Sequence, residues 1–266
     1  MHLSTEESLF LRDLVCRESA IVLESGKEYL LETRLVSVMR SREINSFGQL
    51  ITEIRRTPRG PLVTAVVEAM TTNETYFFRE IKHFEFMRTQ VLAARSRPQP
   101  YRVWSAASSS GEEAYSMAMV LMDCMQTTPW EILGTDISTR VLEGARRALY
   151  SLERGRHIPP DYLRRFCRKG SGPYDGHLLV DGMLRSKVLF RHLNLNTALP
   201  QLGQFDLVFL RNVMIYFNND TKREVVARVI STLKPGGYFC IGHSESLNDI
   251  STAVQMVAPS IYQKPL

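Results

Sequence analysis

The spacing of hydrophobic positions changes near residue 100, and the change divides the chain. From Ser4 to about Met70, apolar residues recur at helical intervals: Leu9, Phe10 and Leu14, then Tyr29, Leu30, Leu35 and Val38, then Phe47, Leu50, Ile51 and Ile54. Ser4 with Glu7 has the form of a capping box, each side chain bonding the other residue's backbone N–H at a helix start. Thr57-Pro-Arg-Gly-Pro61 interrupts the pattern, and another helix is predicted from Leu62 to Met70. No strand pattern occurs here. Residues 1–70 are therefore expected to form a small helical domain.

From Tyr101 the period shortens. Apolar runs predict strands at Tyr101–Trp104, Glu131–Thr135, Val188–Phe190, Asp206–Leu210 and Tyr238–Ile241, and helical patterns cover Glu112–Met125, Thr139–Leu149 and Thr221–Leu233. Strands alternating with helices predict an α/β fold, a doubly wound and mostly parallel sheet over residues 101–266. Residues 71–100 are read as a connecting segment that contributes to the site. Gly170, Gly172, Pro173, Gly176 and Gly182 surround β-prone pieces such as His177-Leu-Leu-Val180, which predicts an antiparallel β insertion at about residues 168–187.

A chain of 266 residues, 44% hydrophobic and 23% charged, is an ordinary globular composition. No apolar run reaches the length of a membrane span, and the first residues lack a basic-then-apolar leader, so the expected location is the cytoplasm without membrane insertion. Cys16, Cys124, Cys167 and Cys240 are scattered, without the close pairing of a zinc or redox motif; no metal is expected. The net charge of +5 permits a polyanionic partner without identifying one. It is concentrated in one run from Lys27 to Arg59 and another from Arg146 to Lys169, readable as solvated helix faces or as contacts for an acidic partner.

Four segments carry candidate chemistry. In open α/β sheets, ligands sit beyond the carboxyl ends of the strands. Arg211, Asn212 and Tyr216 follow the buried strand Leu207–Leu210, where they could grip a small polar ligand or serve as a cap and surface residues. The turn Ser105–Gly111 follows the first strand, at the usual nucleotide position, but holds a single glycine and leads into Glu112 and Glu113. Two carboxylates repel a pyrophosphate and suit a phosphate-free cationic cofactor, S-adenosylmethionine; alternatively they only favour the helix dipole. Asp136 ends the second strand roughly 25 residues beyond Gly111, near where such folds place the acid that binds ribose hydroxyls, although it could instead cap the next helix. Asn73, Thr75 and Arg79 form a polar set beside Tyr76, Phe77 and Phe78, and Arg79 could present a planar donor fork to a carboxylate.

Taken together, Thr72-Asn-Glu-Thr-Tyr-Phe-Phe-Arg-Glu80, Val103 to Ser116, Asp136-Ile, Arg211 to Phe217, Leu233-Lys-Pro-Gly-Gly237 and Gly242-His-Ser-Glu245 give the chain a specific identity. It resembles the chemotaxis-receptor glutamate methyltransferases (CheR type) over essentially its whole length. The resemblance implies a class I methyltransferase-like fold. It implies S-adenosylmethionine contacts at Asn73, Thr75, Arg79, Glu113, Asp136, Asn194, Leu195, Arg211 and Asn212, with Arg79 and Tyr216 lining the methyl-transfer site. It also implies docking of basic residues around Arg34 and Arg40 on receptor helices, and a β insertion able to take a receptor's carboxyl-terminal pentapeptide as an added strand.

An exposed glutamate has a pKa of about 4.3, so the nucleophile for such a reaction is already ionised near neutral pH and needs no general base. His243 is accordingly read as structural. Three competing readings remain: a nucleic-acid methyltransferase, a non-catalytic receptor-binding adaptor of the same fold, and a nicotinamide dehydrogenase. The first lacks its usual Pro-Pro-aromatic motif after the fourth strand, and the last lacks the glycine pattern.

Overall fold

The computed structural model describes residues 2–24, 26–94, 99–125 and 128–266. Four helices come first: α1 (Thr5–Ser19), α2 (Glu28–Arg40), α3 (Phe47–Arg56) and α4 (Pro61–Met70). Ser4 and Glu7 make both bonds of the capping box at the start of α1. The apolar stripes meet in one core that includes Leu11, Leu14, Leu31, Leu35, Phe47, Leu50, Ile54 and Val66. Arg34 crosses from α2 to donate to the Met70 and Thr71 carbonyls, so this arginine fastens α2 to the end of α4.

The connecting segment contains a further helix, α5 (Ile81–Ala94), built on Phe84, Met87 and Val91. Before it, Phe77 and Phe78 are buried in the core of the sheet-bearing part, and Phe78 N–H donates to Ser116 Oγ at 2.9 Å. Phe78 and Glu80 both hold left-handed backbone, at φ 56° and 59°. Each such residue costs about 1–2 kcal/mol, while burying each phenylalanine contributes about 1.5–3 kcal/mol. Burial wins, and it fixes the turn that aims Arg79 and Glu80.

The remaining elements are β1 (Tyr101–Ala106), α6 (Glu112–Cys124), β2 (Trp130–Asp136), α7 (Thr139–Arg147), β3 (Leu149–Ser151), α8 (Pro160–Phe166), β4 (Cys167–Lys169), β5 (His177–Val180), α9 (Gly182–Arg185), β6 (Val188–His192), β7 (Phe205–Leu210), α10 (Asn219–Ser231), β8 (Leu233–Ile241), β9 (Gln255–Ala258) and β10 (Ile261–Gln263). The large sheet has the order β6-β2-β1-β7-β8-β10-β9. Its first five strands run parallel, and β10 and β9 close the edge antiparallel. The chain winds outward from β1 through β2 to β6, then returns to place β7 on the other side of β1. That reversal between β1 and β7 is the switch point where such sheets bind ligands.

A second sheet, β3-β5-β4, is antiparallel and takes its first strand from Leu149, ahead of the glycine-rich stretch. Leu149 therefore begins a strand, and α7 stops two residues earlier, at Arg147. Much of the basic run from Arg146 onward is paired within the fold: Arg146 to the Phe190 carbonyl, Arg154 to Glu112, Arg165 to Asp123 and Arg168 to Asp181. The four cysteines are free thiols, and no helix among the described residues is long and apolar enough to cross a membrane.

Gly111 sets the entry to α6. It is left-handed at φ 94°, and a Cβ there would lie 2.8 Å from Ala145 Cβ. Gly111→Ala combines left-handed strain of about 1–2 kcal/mol with overpacking of about 1–3 kcal/mol. Urea unfolding should report a loss of at least about 2 kcal/mol; a smaller loss would mean that the β1–α6 turn relaxes freely.

Candidate active site

A cleft opens at the carboxyl ends of β1, β2 and β7. Asn73, Thr75, Arg79, Glu113, Asp136, Asn194, Leu195, Arg211, Asn212 and Tyr216 all line it. These ten candidate residues thus face one space, although their positions run from residue 73 to residue 216.

The β1–α6 turn offers little to a phosphate. Ser108 N–H donates to the Thr135 carbonyl, Ser109 N–H to Asp136 Oδ2 and Gly111 N–H to the Ser108 carbonyl. These amides, which a pyrophosphate would need, are already engaged. Only one of the two adjacent glutamates reaches the cleft. Glu112 turns away, fully buried, to meet Arg154 at 2.6 Å, while Glu113 faces inward and accepts from Ser105 Oγ at 2.6 Å. Burial raises the pKa of the Glu113 carboxyl, against the opposing pull of Arg211.

Asp136 is not the cap of α7: Ser138 holds that position, and Asp136 accepts its N–H. Its Oδ1 accepts Ser138 N–H at the start of α7, and its Oδ2 accepts Ser109 N–H. Each carboxylate oxygen retains a second acceptor site, and the side chain lines the cleft, so two neighbouring hydroxyls could still be bound. Ile137, Leu193, Leu195, Val213 and Phe217 supply an apolar wall suited to a flat heteroaromatic ring.

Arg211 is the buried centre of the site, its side chain only 1% exposed. It meets Glu80 Oε2 at 3.1 Å and Glu113 Oε2 at 3.3 Å, and it donates to the Arg79 carbonyl. Glu80 in turn accepts from Asn212 Nδ2 and from His243 N–H. Burial opposes the charge on Glu80, but Arg211 and these donors outweigh it and hold its pKa below the ordinary value. Asn212 caps no helix; it sits in left-handed backbone at φ 56° directly after β7. Asparagine tolerates that conformation better than most residues.

That turn is held by a residue to which sequence reasoning gave no role. Glu245 accepts four backbone N–H groups, from Gly242 at 2.7 Å, Met214 at 2.8 Å, Asn212 at 2.9 Å and Val213 at 3.1 Å. Burial raises its pKa while the four donors oppose the shift. Ser19, which ends α1, and Ile21 just beyond it were also missed, yet they form the wall contributed by the helical part. Asn194 Nδ2 donates to the Glu18 carbonyl and Val22 N–H to the Tyr216 carbonyl, which close that wall onto the sheet. Arg79 is half-buried and donates to the Glu74 carbonyl at 3.0 Å, with its guanidinium 5.8 Å from the Tyr76 ring.

A switch-point cleft with two inward carboxylates, an apolar wall and no free phosphate cradle is that of an S-adenosylmethionine-dependent methyltransferase. Residues 73–262 match the family profile described as CheR methyltransferase, SAM binding domain, and residues 6–71 match the CheR methyltransferase, all-alpha domain. The chain belongs to the CheR methyltransferase family. It is 42% identical to chemotaxis protein methyltransferase 1 of Pseudomonas aeruginosa over 247 residues, covering 89% of each chain. It is 37% identical to the chemotaxis protein methyltransferase of Escherichia coli over 257 residues, covering 95% of this chain and 88% of the relative. Its cofactor is S-adenosylmethionine, and the residues present suit that compound.

Removing the Glu245 carboxylate strands four amides beneath the cleft, and hydrogen bonds to a charged group each contribute about 1.5–3 kcal/mol. Glu245→Ala should therefore lower stability by at least about 2 kcal/mol in a denaturant melt and weaken S-adenosylhomocysteine binding. Unchanged values for both would show that the amides readily find other acceptors.

Proposed function

We propose that this chain is a protein-glutamate O-methyltransferase acting on the cytoplasmic domains of membrane chemoreceptors in chemotaxis adaptation. The observation that carries this reading is the shared cleft, in which Arg79 and Tyr216 stand with the proposed cofactor residues and no histidine or cysteine side chain contributes to the lining. A carboxylate needs no base to become a nucleophile at neutral pH, whereas a hydroxyl or amine acceptor would. The relatives are named for chemotaxis, which agrees with a receptor substrate.

In this reading Asp136 accepts from the ribose hydroxyls and Glu113 faces the amino group. Asn73, Thr75, Arg79, Asn194, Leu195, Arg211 and Asn212 complete the cofactor contacts. The bound cofactor supplies a methyl group on a sulfonium. The chain's own task is alignment and partial removal of water from the incoming carboxylate, which together can contribute several kcal/mol. Arg79 and Tyr216 hold that carboxylate. The product is a neutral ester, so each turnover removes one negative charge from the receptor and biases a bistable signalling helix bundle.

Arg40 is exposed on α2 and available to a receptor helix, whereas Arg34 is engaged with the end of α4. On the small sheet, β4 lies at one edge and could accept a receptor's terminal peptide as an added strand. The expected location is cytoplasmic, with no nucleic-acid partner.

Incubation with radiolabelled S-adenosylmethionine and receptor cytoplasmic fragments should transfer base-labile label to the fragments. Label in RNA instead, or none on any receptor fragment, would refute the reading. Asp136→Ala should weaken S-adenosylhomocysteine binding by about 1–3 kcal/mol in calorimetry; unchanged affinity would remove Asp136 from the site. Arg79→Ala should abolish transfer while leaving the unfolding midpoint near that of the unaltered protein, and normal turnover would exclude its role.

A further inference from the structure

Glu80 and His83 lie three residues apart at the start of α5, and His243 lies two residues beyond the end of β8. Folding brings these distant positions together behind the Arg211 side of the cleft. One ligand-type atom from each lies within 4.8 Å of the others. The rings of His83 and His243 stand 4.9 Å apart at 71°, and His83 Nδ1 is 3.4 Å from Glu80 Oε2. The His83 side chain is fully buried, yet neither ring nitrogen has a hydrogen-bond partner among the described residues. Buried imidazole nitrogens are seldom left so, because each unmade bond costs about 1–3 kcal/mol.

We propose that Glu80, His83 and His243 form a binding site for a borderline divalent cation of the zinc class. Two imidazoles and one carboxylate are a nitrogen-rich set that suits zinc and its transition-metal neighbours and is unsuited to magnesium or calcium, which take oxygen ligands. Three protein ligands leave a fourth position, and His243 is exposed, so the cation has a path from solvent.

Metal binding requires neutral imidazole. Neither ring nitrogen of His83 has a hydrogen-bond partner among the described residues, so the ring can present one free lone pair to a cation. Glu80 is already oriented by its bonds from Asn212 Nδ2 and His243 N–H, the kind of outer support that fixes a metal ligand. Arg211, which pairs with Glu80, also pairs with Glu113. With both carboxylates ionised, the three groups together carry a single negative charge. A cation drawing on Glu80 competes with Arg211 for it, so metal and cofactor oppose each other across this shared carboxylate.

The full-length chain, stripped with chelator, should be titrated with Zn²⁺ by calorimetry and with Co²⁺ by visible absorption. The expected result is one ion per chain and intense tetrahedral-type Co²⁺ bands. In H243A, an exposed position, affinity should fall more than about tenfold and the bands should disappear. His83→Leu should do the same if it folds. S-adenosylhomocysteine affinity should fall when Zn²⁺ is added to the unaltered protein but not to H243A. Absence of binding in the unaltered protein, or stoichiometry and spectrum unchanged in H243A, overturns the site.

Discussion

Burying the guanidinium of Arg211 is the commitment around which the cleft is organised. Taking such an ion out of water costs several kcal/mol and is recovered only when its donors are satisfied. Here the network joins three separated stretches: Glu80 and the Arg79 carbonyl in the connecting segment, Glu113 at the start of α6, and the arginine itself after β7. The ion pairs force the connecting segment onto the ends of the sheet strands. The left-handed residues Phe78 and Glu80, costly in isolation, become the conformation that lets the partners meet.

A second carboxylate completes the arrangement from below. Glu245 gathers four backbone amides, three of them from consecutive residues after β7. This network holds the backbone of Asn212 in its left-handed state and so directs both Arg211 and Tyr216. Strained backbone persists where surrounding structure over-determines it, and such places often coincide with function. The helical part contributes from the other side, through Asn194 to Glu18 and Tyr216 to Val22, so that Ser19 and Ile21 close the cleft.

Much of this was legible in the sequence because local physics carried it. Leu207 to Leu210 read as a buried strand, the capping box at Ser4 and Glu7 read as a helix start, and both are present. Most lining residues were legible because they follow strands or occupy the connector, while Asn194 and Leu195 came from the family resemblance alone. Ser19 and Ile21 were not, because their place depends on α1 docking against distant loops. Glu80 and Glu245 carry no local signal either, since their partners lie far along the chain or come from backbone amides. The helix α5 has Phe84, Met87 and Val91 at helical spacing, but the aromatic run before it obscures its start. Leu149 continues the apolar pattern of α7, and only its pairing with Leu179 makes it a strand.

The proposed chemistry explains why the cleft is rich in fixed charge and poor in acid–base groups. An acceptor that arrives ionised leaves the protein no proton to remove, so selection among acceptors falls to orientation and desolvation. A flexible lysine would neutralise a carboxylate by point charge alone and blunt its attack. A guanidinium can hold two oxygens in plane while leaving a lone pair directed at the reacting carbon. Arg79, free of the buried pairs that bind Arg211 and held by the Glu74 carbonyl and the Tyr76 ring, is in the proposed reaction the cation that would turn toward such a substrate. The division of labour between the two arginines, one locked and one available, is what the connecting segment provides.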